Sequence, residues 1–193
     1  MARVGRVLGV APGEQGVVGR LLALMFVAWF GVAVGGNAVE GLLLARVGPV
    51  ALPYLFAALG ATTAIVMLAT NVIVARGRPH RALLIALAVM AAAVLTLRAV
   101  LSVGGSWVYP TAWLAMMVLW TAGGIVTWGI AGAVHDTRRA KQLFPLYASG
   151  VIAGGAIGGF ATAPLARRLT VADLLFVWAA ALVAAFVLAR SVL

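Results

Sequence analysis

Glu40 and Arg98 are the two ionisable residues that sit well inside apolar stretches of this 193-residue chain. In a bilayer such groups are costly, and they mark ion pathways, gates or ligand contacts by default. Glu40 lies 19 residues beyond Leu21, where its apolar stretch begins, and Arg98 lies 16 beyond Ala82. At about 1.5 Å per helical residue both reach roughly 24–29 Å, near the far membrane boundary. Matching depth predicts an ion pair or gate between them, with snorkelling as the plainer alternative. Asn37, Asn71 and Thr70, with Thr62 and Thr63, form a candidate polar path, or else they hydrogen-bond neighbouring helices. Asp173 has a structural explanation: Thr170-Val171-Ala172-Asp173 has capping-box spacing, and an acid complements the positive helix end.

Other chemistry is excluded by what the chain lacks. It has no cysteine, so thiolate metal sites, disulfides and cysteine nucleophiles are absent together. His80 and His135 stand 55 residues apart in charged segments, which makes no metal or cofactor site. There is no GxSxG elbow, HExxH helix, Walker loop or pair of intramembrane carboxylates. Ser102, Ser106, Ser149 and Ser191 have no neighbouring His–Asp set. The expectation is a protein that is not an enzyme and carries no cofactor.

The elements that must position Glu40 and Arg98 follow from composition. The chain is 65% hydrophobic and 9% charged, with a mean hydropathy of +1.15. Soluble domains are roughly 45–50% apolar and about 25% charged, so a water-soluble monomer is excluded. Six stretches approach or exceed the roughly 20 apolar residues a spanning helix needs: 21–44, 50–75, 82–102, 110–134, 143–166 and 171–189. Ala and Leu dominate without strict alternation, which excludes a β-barrel. The fold class expected is all-α and polytopic: residues 21–193 as one six-helix transmembrane domain after a short cytoplasmic segment, 1–20. That segment is no secretory signal, because Pro12, Gly13, Glu14 and Gln15 break its apolar run.

Net charge is +10, yet the cations lie between apolar runs, so they report sidedness rather than nucleic acid. Arg3, Arg6, Arg20, Arg76, Arg78, Arg81, Arg138, Arg139, Lys141 and Arg190 share one side; Arg46, Arg167 and Arg168 take the other. The positive-inside rule then puts both termini in the cytoplasm of a bacterial-type inner membrane. Trp107 and Tyr109, in an uncharged outer loop, fit an interfacial aromatic belt. The basic segment 136–141 suits contact with anionic lipid.

Glycine spacing predicts how the helices meet. In the fifth stretch Gly150, Gly154 and Gly158 recur every four residues, with Gly155 and Gly159 as a second row. Small residues at that spacing let helix backbones approach closely in lipid. Gly31 with Gly35 and the Gly123-Gly124 pair suggest the same for the first and fourth helices, which with the fifth would form the tight centre.

Two segments resemble one family. The first is Asn37-Ala38-Val39-Glu40-Gly41-Leu42-Leu43-Leu44-Ala45-Arg46-Val47-Gly48, followed by Leu52-Pro53-Tyr54-Leu55. The second is Trp128-Gly129-Ile130-Ala131-Gly132 and then Asp136-Thr137-Arg138-Arg139-Ala140-Lys141-Gln142-Leu143-Phe144-Pro145-Leu146, leading into the glycine ladder. Both resemble the N-terminal six-helix half of the ATP/ADP translocase-like nucleotide transporters of the major facilitator superfamily. The resemblance implies a family-like cytoplasmic loop built on Asp136, Arg138 and Lys141, a twelve-helix pathway made of two halves, and a small anionic substrate, a nucleotide. It departs where such carriers have a charged or amide side chain: Val39 stands before Glu40 in place of a basic residue, Ala133 lies in the fourth helix in place of an acid or amide, and Ala75 precedes Arg76 in place of an Asp. Two readings follow. One is a half-size carrier that forms a homo- or hetero-oligomer around a pathway. The other is a non-transporting subunit or anchor that packs within a larger membrane complex.

Overall fold

A computed structural model of the protein describes residues 13–76 and 79–193, less the side chains at 67, 69–76 and 79. The first twelve residues with Arg3 and Arg6, the side chains of Thr70, Asn71 and Arg76, and Arg78 lie outside the described residues. The helices are α1 (Gln15–Arg46), α2 (Leu52–Arg76), α3 (Pro79–Val103), α4 (Val108–Val134), α5 (Thr137–Ala166) and α6 (Leu174–Arg190). Short 3-10 turns at Pro49–Ala51 and Val171–Asp173 lead into α2 and α6. There is no strand among the described residues. Six helical segments are long and apolar enough to cross a membrane. The protein is an all-α polytopic membrane protein.

Helix ends follow local chemistry. α5 starts at Thr137, six residues before the expected span, because the Asp136 carboxylate accepts from the Arg139 backbone N–H at 2.7 Å. α1 likewise starts at Gln15, inside the stretch expected as a separate lead. The Arg20 guanidinium donates to the Gly16 carbonyl at 3.1 Å and to the Ser191 carbonyl at 2.8 Å, tying the start of α1 to the end of α6. That cation sits against the negative C-terminus of α6, where it is favourable. Between α3 and α4 the chain reverses through Gly104 and Gly105, whose φ of +75° and +108° few other residues tolerate.

α1 is the central helix, with buried residues from Val18 to Leu43. It packs most extensively on α5 and α6, then on α4. Gly150, Gly154 and Gly158 of α5 face Leu22, Phe26 and Phe30, which repeat on α1 with the same period of four. A Cβ on Gly158 would lie 2.6 Å from the Phe30 carbonyl oxygen, and one on Gly154 would collide with the Phe26 carbonyl oxygen. Gly31 and Gly35 give α1 a second slot: a Cβ on Gly31 would lie 2.5 Å from Ala181 Cβ, and one on Gly35 would strike the Trp178 indole. Lipid tails are as apolar as leucine, so close van der Waals contact of this kind holds membrane helices together.

Two glycine expectations need correcting. A Cβ at Gly155 or Gly159 meets nothing within 4 Å, so the second row is not a packing surface. One residue turns a helix face by about 100°, which takes this row off the α1 backbone. The tight centre is also α1 with α5 and α6; α4 and α5 barely touch. Gly123 instead approaches Met90 of α3, where a Cβ would lie 3.2 Å from the methyl.

Gly154→Ala should therefore destabilise the protein by about 1–3 kcal/mol, the usual cost of overpacking, while Gly155→Ala leaves it unchanged or slightly raised. Thermal unfolding of both variants in mild detergent checks this; equal losses at the two positions would contradict the assignment of rows.

Candidate functional site

Glu40 does not pair with Arg98. Arg98 donates from Nε and Nη2 to the Asp173 carboxylate, at 2.9 and 2.6 Å, and its guanidinium lies 5.5 Å from the centre of the Phe176 ring. The second Asp173 oxygen accepts from the Thr170 hydroxyl at 2.6 Å, and the Asp173 backbone N–H donates to that hydroxyl at 3.3 Å. Thr170 thus caps the turn as its spacing predicts, and the same acid clamps α3 to the start of α6. Helix faces, which depth along the sequence does not specify, decide the partner. Arg98 is on a helix that packs against α6, whereas Glu40 looks across α1 toward α4 and α5.

There Glu40 lines a groove of about 390 Å³ with Trp29, Val32, Ala33, Gly36 and Asn37 of α1, Met116 and Trp120 of α4, and Gly155 and Gly159 of α5. Positions 29, 33, 36, 37 and 40 fall on one side of α1 because they follow the helical period. The groove exists because α5 presents bare glycine there and because α4 and α5 stand apart. Trp29 and Trp120 meet edge to face, with ring centroids 6.4 Å apart. Glu40 makes no hydrogen bond or ion pair with any described residue.

Asn37 donates through its amide nitrogen to Thr162 Oγ1 at 3.2 Å, across to α5. Thr162 gives its single hydroxyl proton to the Gly158 carbonyl at 2.9 Å, so toward Asn37 it can only accept. That fixes the amide orientation and leaves the Asn37 carbonyl oxygen without a described partner. Of the expected polar path, Asn37 therefore lines the groove; Thr70 and Asn71 lie in α2 with side chains outside the described residues. Thr62 returns its hydroxyl to the Ala58 carbonyl at 2.8 Å.

A larger cleft of about 670 Å³ lies between α2, α3 and α4. Its Thr62, Thr96 and Thr111 hydroxyls all donate to carbonyls of their own helices or adjoining turn, so these three groups offer the mostly apolar cleft no free hydroxyl proton. Among the described residues no three His, Asp or Glu side chains come together as metal ligands.

At the end where α1 begins and α6 finishes, Asp136 caps α5, while Arg138 and Lys141 are exposed. The residue that ties elements together there is Arg139, which the charge pattern alone marks only as a loop cation. Its Nε donates to Glu14 Oε1 at 3.1 Å, its Nη2 to Glu14 Oε2, and its Nη1 to Gln142 Oε1 at 2.7 Å. Only the fold brings Glu14 beside it, 125 residues away. Next to this pair, His135 Nε2 and the Tyr147 hydroxyl share a hydrogen bond of 2.7 Å. Burial holds the imidazole pKa below its ordinary 6.5, helped by Arg139 and opposed by Glu14 and Asp136.

Comparison with protein-family models, curated proteins and solved structures finds no match to this chain.

Two outcomes follow from these contacts. Asp173→Arg or Arg98→Asp alone should lower the unfolding temperature, and the double exchange should recover part of the loss; a strictly additive double variant would dissolve the pair. For His135, the folded state favours the neutral ring, so stability is complete above pH 6.5. It is lost as pH falls below that value, where the unfolded chain takes up the proton first. Unfolding temperatures should fall between pH 7 and pH 5, and His135→Gln should flatten that slope.

Proposed function

We propose that this protein is a transporter-like integral membrane protein and forms one half of a carrier, completed by a second copy or a second six-helix chain across the groove. The observation that carries this reading is Glu40: a carboxylate within a membrane helix, on a cavity wall, without a described partner. Intramembrane ionisable groups that face a cavity are functional by default. The helix arrangement supports the reading. α1 packs on α5 and α6, α4 packs on α2 and α3, and α3 meets α6. With six successive crossings the triplets α1–α3 and α4–α6 run in opposite directions, the form of the inverted repeats within each half of major facilitator transporters. The resemblance in segments 37–55 and 128–146 points to the same superfamily. The charge bias of the loops supports cytoplasmic termini in a bacterial inner membrane.

A nucleotide, the substrate class the resemblance implies, requires cations from the second half. Among the described residues, no basic side chain lines the groove.

Because the chain has no cysteine, single introduced thiols report contacts cleanly. Gly159→Cys should give a disulfide-linked dimer in membranes, and Val183→Cys, exposed on α6, should not. In proteoliposomes the wild type should accumulate substrate and Glu40→Gln should lose most of that uptake. A stable heteromer with unrelated subunits, without uptake of any substrate, would replace this reading with that of a non-transporting assembly subunit.

A further inference from the structure

The groove's chemistry also specifies a ligand class, resting on the half-carrier reading only for what happens to the ligand after it binds. Glu40 supplies negative charge, and the Asn37 carbonyl oxygen, one turn earlier on α1, supplies a second acceptor. Neither has a described donor. Trp29 lies 11 residues before Glu40 on the same face, about 16 Å along the helix axis. There it meets Trp120 edge to face, so that end of the groove is aromatic. No Lys or Arg among the described residues lines the wall. A volume of about 390 Å³ lies within the range of small-molecule sites, typically about 300–1,000 Å³ and mostly apolar with a few placed polar groups.

We propose that the groove binds an amphiphilic organic amine in its protonated form. Its ammonium donates to Glu40 and to the Asn37 carbonyl, and its aromatic or alkyl body lies along Met116 toward Trp29 and Trp120. An ammonium matches two acceptors at once. The opposite charges also attract strongly in the low dielectric of a membrane, an attraction that a neutral hydroxyl donating to the same carboxylate lacks, and this sets the expected preference. An anionic ligand would meet uncompensated repulsion from Glu40, and a neutral hydroxyl would donate to the carboxylate but leave its charge uncompensated. Gly155 and Gly159 keep the opposite wall bare, so the ligand body has room that any larger residue would remove.

The test uses one acridine ring carrying an alkyl tail that ends in an ammonium, a hydroxyl or a carboxylate, titrated against the full-length protein in lipid nanodiscs. The ammonium form should bind saturably, one per chain, about tenfold or more tighter than the hydroxyl form, and the carboxylate form should bind weakest. Glu40→Gln should erase the preference between the ammonium and hydroxyl tails. Gly155→Leu should abolish binding of all three while leaving the unfolding temperature unchanged, since its Cβ enters open space. Equal affinities for the three tails, a preference for the carboxylate, or a preference that survives in Glu40→Gln would overturn the proposal. Ammonium-selective binding without uptake or cross-linked dimers would retain the ligand class and reject the half-carrier. Uptake and cross-linking without ammonium selectivity would do the reverse.

Discussion

The close approach of α1 and α5 is the contact on which the other helices depend. Gly154 and Gly158 lie so near the Phe26 and Phe30 carbonyl oxygens that no side chain fits between. In lipid there is little hydrophobic force between helices, so contact distance sets how firmly two of them hold. Once α1 is fixed on α5, its Gly31 and Gly35 slot takes Trp178 of α6, and α6 in turn fixes α3 through Arg98 and Asp173. Two sides of α1 are thereby consumed, and the third is free to line a groove.

The same contact explains why that groove has a bare wall. A helix presents one row of residues to its neighbour, and the next row is turned away by about 100°. Gly150, Gly154 and Gly158 take the contact, so Gly155 and Gly159 face open space. One glycine-rich segment therefore provides a packing surface and part of a cavity lining. Position along the helix, more than residue type, separates the two uses.

Charge is distributed to match. Arg98, Asp173 and Thr170 satisfy one another at one end of the bundle. Glu14 and Arg139 do so at the other, where Asp136 caps α5 and Arg20 reaches the end of α6. These groups tie helices together, and surface pairs of this kind contribute modestly to stability. Glu40 stands apart from them. Its exposed carboxylate lines the groove and ties no two helices together among the described residues.

Apolar length and composition alone determined that the protein is all-α, with six spans, and those spans match the helices to within a few residues at most ends. They are properties of each segment by itself: about 20 apolar residues in a bilayer must satisfy their own backbone hydrogen bonds. The four-residue glycine row and the Thr170 cap were legible for the same reason, being local. The early start of α5 at Asp136 was within reach of local reading too, since an Asp ahead of a helix is a capping signal. What the tertiary structure decided was partnership. Consecutive helices touch little, α3 with α4 excepted, and the main contacts join distant segments. Periodicity says which residues share a face of their own helix, but not which helix lies opposite. Glu40 and Arg98 matched in depth and yet belong to different faces. Arg98 found Asp173, 75 residues away, and Arg139 found Glu14, 125 away. Only packing in three dimensions left Glu40 facing a groove.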